Sequence, residues 1–195
     1  MNGRGDSAGW HLYAASSGGA WSWQPLATLA PAGLNPDGER WIGRQCLTGD
    51  GRYVVAVVAP WSANNTPAGA GRGGIAYSIN AHTGAVRPLL TGVSLYYFTP
   101  SCGPGSTVAL TSYAGRNEQT TQLVLADAAS ATVQTVRTLP RHYTDAVPGP
   151  GRRFFATTGD AIVRVAGTGR AQLLRADTAA ARAAGQPFNL VANAS

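Results

Sequence analysis

Residues 41–61, WIGRQCLTGDGRYVVAVVAPW, decide the fold. Two apolar stretches flank the turn TGDG, which reads as an antiparallel hairpin, since Gly and Asp supply the backbone angles that tight turns demand. The second stretch, VVAVVA at 54–59, is apolar without interruption, so it reads as a strand covered on both faces. A loop, SANNTPAGAGRGG at 62–74, leads into IAYSINAHTGAVRPLL at 75–90, a third strand, a tight turn at His82-Thr83-Gly84 and a fourth strand. Working outward, the same order returns in VSLYYFTPSCGPGSTVALTSYAG at 93–115 followed by RNEQT and TQLVLADAASATVQTVRTL. A shorter version runs from HYTDAVPGPGRRFFATTG at 142–159 into DAIVRVAGTGRAQLLRA, with its own tight turn at Gly167-Thr168-Gly169.

Each unit is one four-stranded meander. Gly51, Gly105 and Gly151 mark equivalent first turns, 54 and 46 residues apart, a spacing that fits propeller blades. The reading is therefore all-β, with β-propeller-like four-stranded repeats at about 41–90, 93–139 and 142–175. A β-sandwich of similar hairpins is the alternative, because sandwiches also place short strands at regular spacing. Residues 10–195 are assigned to the propeller-like domain and residues 1–9 to a disordered N-terminal arm. Three units fall short of the four to eight that close a ring, so the domain is expected to be incomplete. GWHLYAASSGGAWSWQPLATLA at 9–30 reads as the outer strand pair of a preceding blade, and GQPFNLVANAS at 185–195 as the inner strand of a following one. Residues 178–184 read as one short helical turn.

Composition bounds the functional classes. With 44% hydrophobic residues, 12% charged residues, 25 Gly and 12 Pro, the chain reads as a folded, turn-rich protein. All 15 basic residues are Arg, spread from Arg4 to Arg182 with a single adjacent pair, Arg152 and Arg153. Scattered charge of this kind argues against nucleic acid as a partner despite the net charge of +6. No run of 18 apolar residues is present, so no membrane span is expected.

Cys46 and Cys102 both precede the turn into a second strand, with matching parity, so their side chains point to one face. A disulfide between neighbouring blades is the expectation, with inert buried thiols as the alternative. His11, His82 and His142 show no metal-ligand spacing with either cysteine. Asp50, Asp127, Asp145 and Asp160 read as turn formers at strand ends, and no GxSxG elbow occurs. Trp21, Trp23, Trp41 and Trp61 read as packing residues between blades in preference to a sugar-stacking platform. Arg4-Gly5-Asp6 is a three-residue match to an integrin tripeptide and carries no functional assignment. The glycine run from Gly69 to Gly74 reads as loop, without the following helix of a phosphate cradle.

The motifs WIGRQCLTGDGRYVVAV, GVSLYYFTPSCGPGSTVALTS and LVLADAASATVQTV resemble the N-terminal propeller region of large secreted proteins of high-GC Gram-positive bacteria, some with golvesin-like or Rhs-type regions. That resemblance implies a fold and an extracellular or cell-surface setting and carries over no catalytic residue; a cytoplasmic setting is the alternative. The expected function is a non-catalytic binding or scaffolding module of an extracellular protein. Its loops would contact protein or carbohydrate, and uncovered sheet faces would self-associate. The alternatives are a propeller-fold hydrolase or lyase, and a truncated fragment without independent function. No catalytic residue, metal site or cofactor is assigned.

Overall fold

The computed structural model describes residues 1–35, 37–158, 161–166 and 171–176, which carry fifteen strands in four antiparallel sheets. Sheet 1 holds β1 (Asn2–Asp6), β2 (Gly9–Ala14) and β3 (Gln24–Leu29). Sheet 2 holds β4 (Trp41–Leu47), β5 (Tyr53–Pro60), β6 (Gly74–Asn80) and β7 (Val86–Val93). Sheet 3 holds β8 (Ser101–Cys102), β9 (Thr107–Ala114), β10 (Thr120–Asp127) and β11 (Thr132–Leu139). Sheet 4 holds β12 (Thr144–Gly149), β13 (Arg153–Thr158), β14 (Ala161–Val165) and β15 (Ala171–Ala176). In sheets 2 to 4 the strands lie side by side in chain order, as successive hairpins dictate.

Three apolar layers, one between each pair of neighbouring sheets, make up the core. Strand period two divides β5 between two of them. Val54, Ala56 and Val58 join Leu12, Leu29, Trp41 and Ile79 between sheets 1 and 2. Val55, Val57 and Ala59 join Val108, Leu110, Val124 and Ala126 between sheets 2 and 3. The third layer takes the other faces of β9 and β10, where Ala109, Leu123 and Leu125 meet Phe154, Ala156, Val163 and Val165. A strand covered on both faces needs apolar residues at every position, which is why VVAVVA does not alternate. Each fully buried Leu, Val or Phe here contributes about 1.5–3 kcal/mol over its exposed state.

The first turns of the repeats are equivalent in geometry as well as in spacing. Gly51, Gly105 and Gly151 have φ of 71°, 61° and 67°, the left-handed region in which a Cβ is disfavoured. In sheet 2 the turn is closed by Thr48, whose hydroxyl donates to Asp50 Oδ1 at 2.6 Å, while the Arg52 amide donates to the same oxygen at 3.1 Å. It is also tied to the next sheet: the amides of Gly49 and Asp50 donate to the carbonyls of Gly103 and Gly105 at 3.0 and 3.1 Å.

Two readings of the sequence are corrected. Residues 2–6, expected to be a disordered arm, form β1 and pair with β2 from Asn2↔Tyr13 to Asp6↔Gly9. The strand carries no apolar alternation because its inward positions are glycines in close contact. A Cβ on Gly3 would stand 2.5 Å from the Trp10 ring, and one on Gly5 only 1.8 Å from the Trp41 carbonyl oxygen. The Gly69–Gly74 loop in turn contains a short helix, α1 (Pro67–Arg72). Thr66 caps it by accepting from the Gly69 amide at 3.0 Å, and Pro67 occupies the first turn, where its missing N–H costs nothing. Asp160, the 167–169 turn, the 178–184 helical turn and the 185–195 strand lie outside the described residues.

Sheet 1 supplies the outer positions of a blade, and β1 takes the second place in it. Gly5 abuts Trp41 at the start of β4, and Gly3 approaches the Gln45 carboxamide near its end, so β1 runs against β4. The second-position strand β9 has the same relation to β12: Tyr113 near its end donates to the Tyr143 carbonyl, just ahead of the start of β12, at 2.6 Å. Likewise the backbone of Leu26 in β3 packs on the turn glycine Gly84, as Arg87 in the fourth strand β7 reaches the carbonyls of Ala128 and Ala129 in the turn of sheet 3.

Candidate functional site

Because consecutive strands are antiparallel, connections alternate between the two ends of the sheets. One end carries only short links in sheets 2 and 3: residues 48–52, 81–85, 103–106 and 128–131. Side chains close them. Asn80 Oδ1 accepts from the amides of His82 and Thr83, and Asp127 accepts from the Ser130 amide at 2.7 Å and the Ser106 hydroxyl at 2.8 Å. Asp127 is partly desolvated, yet these donors hold its carboxyl below the usual carboxylate range.

The opposite end carries the longer connections 30–40, 61–73 and 94–100, beside two short ones, 115–119 and 140–143. They are built as ordered structures. Asn35 bonds both the amide and the carbonyl of Glu39, Glu39 Oε2 accepts from the Ser62 amide at 2.7 Å, and the Arg40 guanidinium stands 4.3 Å from the centre of the Trp61 ring. A cavity of about 290 Å³ opens beside Trp61 and is lined by Trp10, Ile42, Arg44, Asn64 and Leu95. A wider one of about 630 Å³ runs along β1 to Arg40 and Trp41.

A second cluster forms where sheets 2, 3 and 4 meet. Tyr96, Phe98 and Tyr113 pack with ring centroids 5.5–6.3 Å apart, and His142 stacks on Tyr113 at 4.4 Å with 12° between planes. Tyr96 donates to Glu118 Oε1 at 2.8 Å, and His142 Nδ1 lies 3.7 Å from Glu118 Oε2. Burial first, then the neighbouring Glu118 carboxylate, pushes the Tyr96 hydroxyl up to about 12; burial pushes that of Tyr113 up as well. A cavity of about 290 Å³ lies between α1 and this cluster, bounded by Thr66, Arg72, Tyr113, Asn117 and Glu118. It offers one cation, one carboxylate and amide and hydroxyl groups within one concave wall.

The residues singled out in the sequence distribute as follows. Cys46 and Cys102 are joined, with Cα atoms 5.7 Å apart, at the short-turn ends of β4 and β8. Arg4-Gly5-Asp6 lies in the β1 ladder, where His11 Nε2 contacts Asp6 Oδ1 at 2.9 Å and, with the Ala8 amide, lowers that carboxyl. Of the four tryptophans read as packing residues, Trp41 is 3% exposed in the core, whereas Trp21, Trp23 and Trp61 are 70%, 54% and 44% exposed. Those three sit in connections between strands, where no neighbouring sheet covers them. Asp145, read as an ordinary turn former, is 4% exposed inside the bulged start of β12, with φ of 47°, and accepts from Thr157 at 3.3 Å. Tyr96, Glu118 and His142 were not connected by sequence reasoning. Their spacing gives no signal, since Tyr96 and Glu118 fall in different connections of one repeat and His142 in the short link to the next sheet. Among the described residues no three His, Cys, Asp or Glu side chains are grouped to hold a metal ion, and no helix is long and apolar enough to cross a membrane.

No family model matches the chain, and no curated protein does. Solved structures do. TolB from Acinetobacter baumannii is similar over 88% of this chain and 40% of that chain, at 16% identity and a TM-score of 0.52. The Dos1 propeller is similar over 87% of this chain and 43% of that one, at 10% identity and a TM-score of 0.56. The fold is that of a β-propeller. The chain spans about two-fifths of the length of these two propeller structures, whose low identity makes the likeness one of fold alone.

Proposed function

We propose that this chain is a non-catalytic binding module of an extracellular protein, using the long-connection end of the propeller arc to hold a protein or carbohydrate partner. The observation that supports the reading is the division of labour between the two ends. Connections 30–40, 61–73 and 94–100 emerge at one end, where Asn35, Glu39 and Thr66 brace the first two, while in sheets 2 and 3 the other end is reduced to tight turns. Rigid loops on a rigid scaffold are how binding surfaces are commonly built. This end also carries exposed aromatic side chains, Trp61 at 44% and Tyr97 at 53%, of the kind that anchor interfaces and stack on sugar rings. The Cys46–Cys102 disulfide fits an oxidising, extracellular compartment.

The test is to probe purified protein against glycan and protein arrays and to repeat the positive interactions with Trp61→Ala and Tyr97→Ala. Loss of at least tenfold in affinity with either variant, and none with His82→Ala at the short-turn end, is expected. Binding that follows His82 instead, or turnover of ester, peptide or glycoside substrates, would overturn the reading.

A further inference from the structure

Ile42, Gly43 and Arg44, three consecutive residues of the edge strand β4, line the cavity of about 290 Å³ beside Trp61. Successive side chains of a strand point to opposite faces, so a cavity that touches all three runs along the strand's edge. A volume of this size is at the small end of ligand pockets and suits a single ring.

The polar groups on its wall are mostly donors. Arg44 is exposed and brings a permanent positive charge with N–H groups in a planar fork. Among the described residues the ion pairs are Asp6 with His11 and Glu118 with His142, so Arg44 has no carboxylate partner there, and no carboxylate lines the cavity. The indole N–H of Trp10, another residue of this wall, is buried without an acceptor; a Cβ on Gly43 would stand 2.9 Å from its Nε1. Asn64 adds a carboxamide at the rim. Such a wall complements a ligand that is rich in acceptors and carries negative charge.

The rest of the lining is apolar and includes a flat ring. Trp61 stands beside Ile42 and Leu95 and is fixed by Arg40, whose carbonyl accepts from the Trp61 amide at 2.9 Å and whose guanidinium lies 4.3 Å from the ring centre. The residue is still 44% exposed, which leaves indole surface for the C–H side of a sugar ring. An Asp or Glu side chain would answer the charge of Arg44 but not the flat ring. A pyranose that bears a carboxylate answers both.

We infer that this cavity takes one uronic acid residue of an acidic glycan, its carboxylate on Arg44, its ring against Trp61 and its remaining oxygens toward Asn64 and the Trp10 N–H. The assignment rests on the long-connection end being a binding surface and narrows the partner there to one chemical class.

Titration calorimetry on the full chain tests it with tetrasaccharides of galacturonic acid, of mannuronic acid and of hyaluronan. Binding of at least one is expected, weakened by salt and weakened about tenfold when the carboxylates are methyl-esterified. Arg44→Gln should lose about tenfold for the acid and nothing for the ester, and Arg44→Lys, which keeps the charge without the fork, should recover part of the loss. Trp61→Ala should weaken acid and ester alike, and Trp10→Phe, which keeps a ring without the N–H, should weaken both. Melting temperatures of the Arg44 variants should match the parent, since the side chain is exposed. A polyglutamate peptide of matching charge should bind more weakly than the tetrasaccharide. Tighter binding of that peptide, full affinity in Arg44→Gln, or no binding of any of the tetrasaccharides at about 1 mM would each overturn the inference. Equal binding of acid and ester that still depends on Trp61 would remove the acidic sugar and leave the binding surface standing.

Discussion

Cys46 and Cys102, paired with Val55 and Val108 in their own ladders, are bonded across the layer between the first strands of neighbouring sheets, with a Cα–Cα distance of 5.7 Å and a sequence separation of 56. The bridge borders the layer between sheets 2 and 3, where both cysteines pack on its buried residues. Closing a loop of that length removes about 4 kcal/mol of unfolded-state entropy on the chain-entropy model. The Cys46→Ala/Cys102→Ala double variant is therefore expected to lose about 4 kcal/mol in denaturant unfolding, and reduction of the native protein should cause a loss of similar size. A loss below about 1 kcal/mol would show that the sheets dock independently of the bridge.

The layers between sheets are separate, so their contributions should add. Leu12 and Leu123 are both fully buried, in layers with no shared residue. Truncation of either to Ala is expected to cost about 2–5 kcal/mol, and sites this independent usually combine within about 0.5 kcal/mol. The double variant, measured by chemical denaturation beside the two single ones, checks this. A total well short of the sum would mean that the sheets unfold one at a time.

Gly5 holds β1 against β4. An Ala Cβ there would stand 1.8 Å from the Trp41 carbonyl oxygen, a backbone atom that cannot swing aside. Gly5→Ala is expected to destabilise by about 1–3 kcal/mol, as overpacked sites do, and to raise amide exchange along β1 and β2. Gly18→Ala, with nothing within 4 Å of the new Cβ, should be near neutral. Equal effects of the two would disprove the close docking of sheet 1.

Alkaline pH should loosen the Tyr96–Glu118 cluster. The Tyr96 hydroxyl rises from 10.0 to about 12 in the folded protein, first by burial and then by the carboxylate beside it. Between those values the folded state keeps a proton that the unfolded state has released. The stabilisation is full below pH 10 and is lost as the pH rises from 10 toward 12. Melting temperature should fall across that window, and Tyr96→Phe should flatten part of the fall; Tyr113, also raised, keeps the remainder. An unchanged slope in Tyr96→Phe would remove Tyr96 from this role.

The sequence by itself determined the class, the repeat and the turns. These are local: VVAVVA must be covered on both faces, Gly51, Gly105 and Gly151 need positive φ, and the Asp127 carboxylate caps the turn that follows it. Such features act over a few residues, so neighbours in sequence reveal them. Only the tertiary structure decided that residues 2–6 form a strand, because the signal there is the absence of side chains on Gly3 and Gly5, and its cause is Trp10 and Trp41 in contact with them. It also decided which tryptophans are covered and brought Tyr96, Glu118 and His142 together across 46 residues. Contacts between blades depend on how sheets stack, and stacking leaves no fixed spacing in the chain.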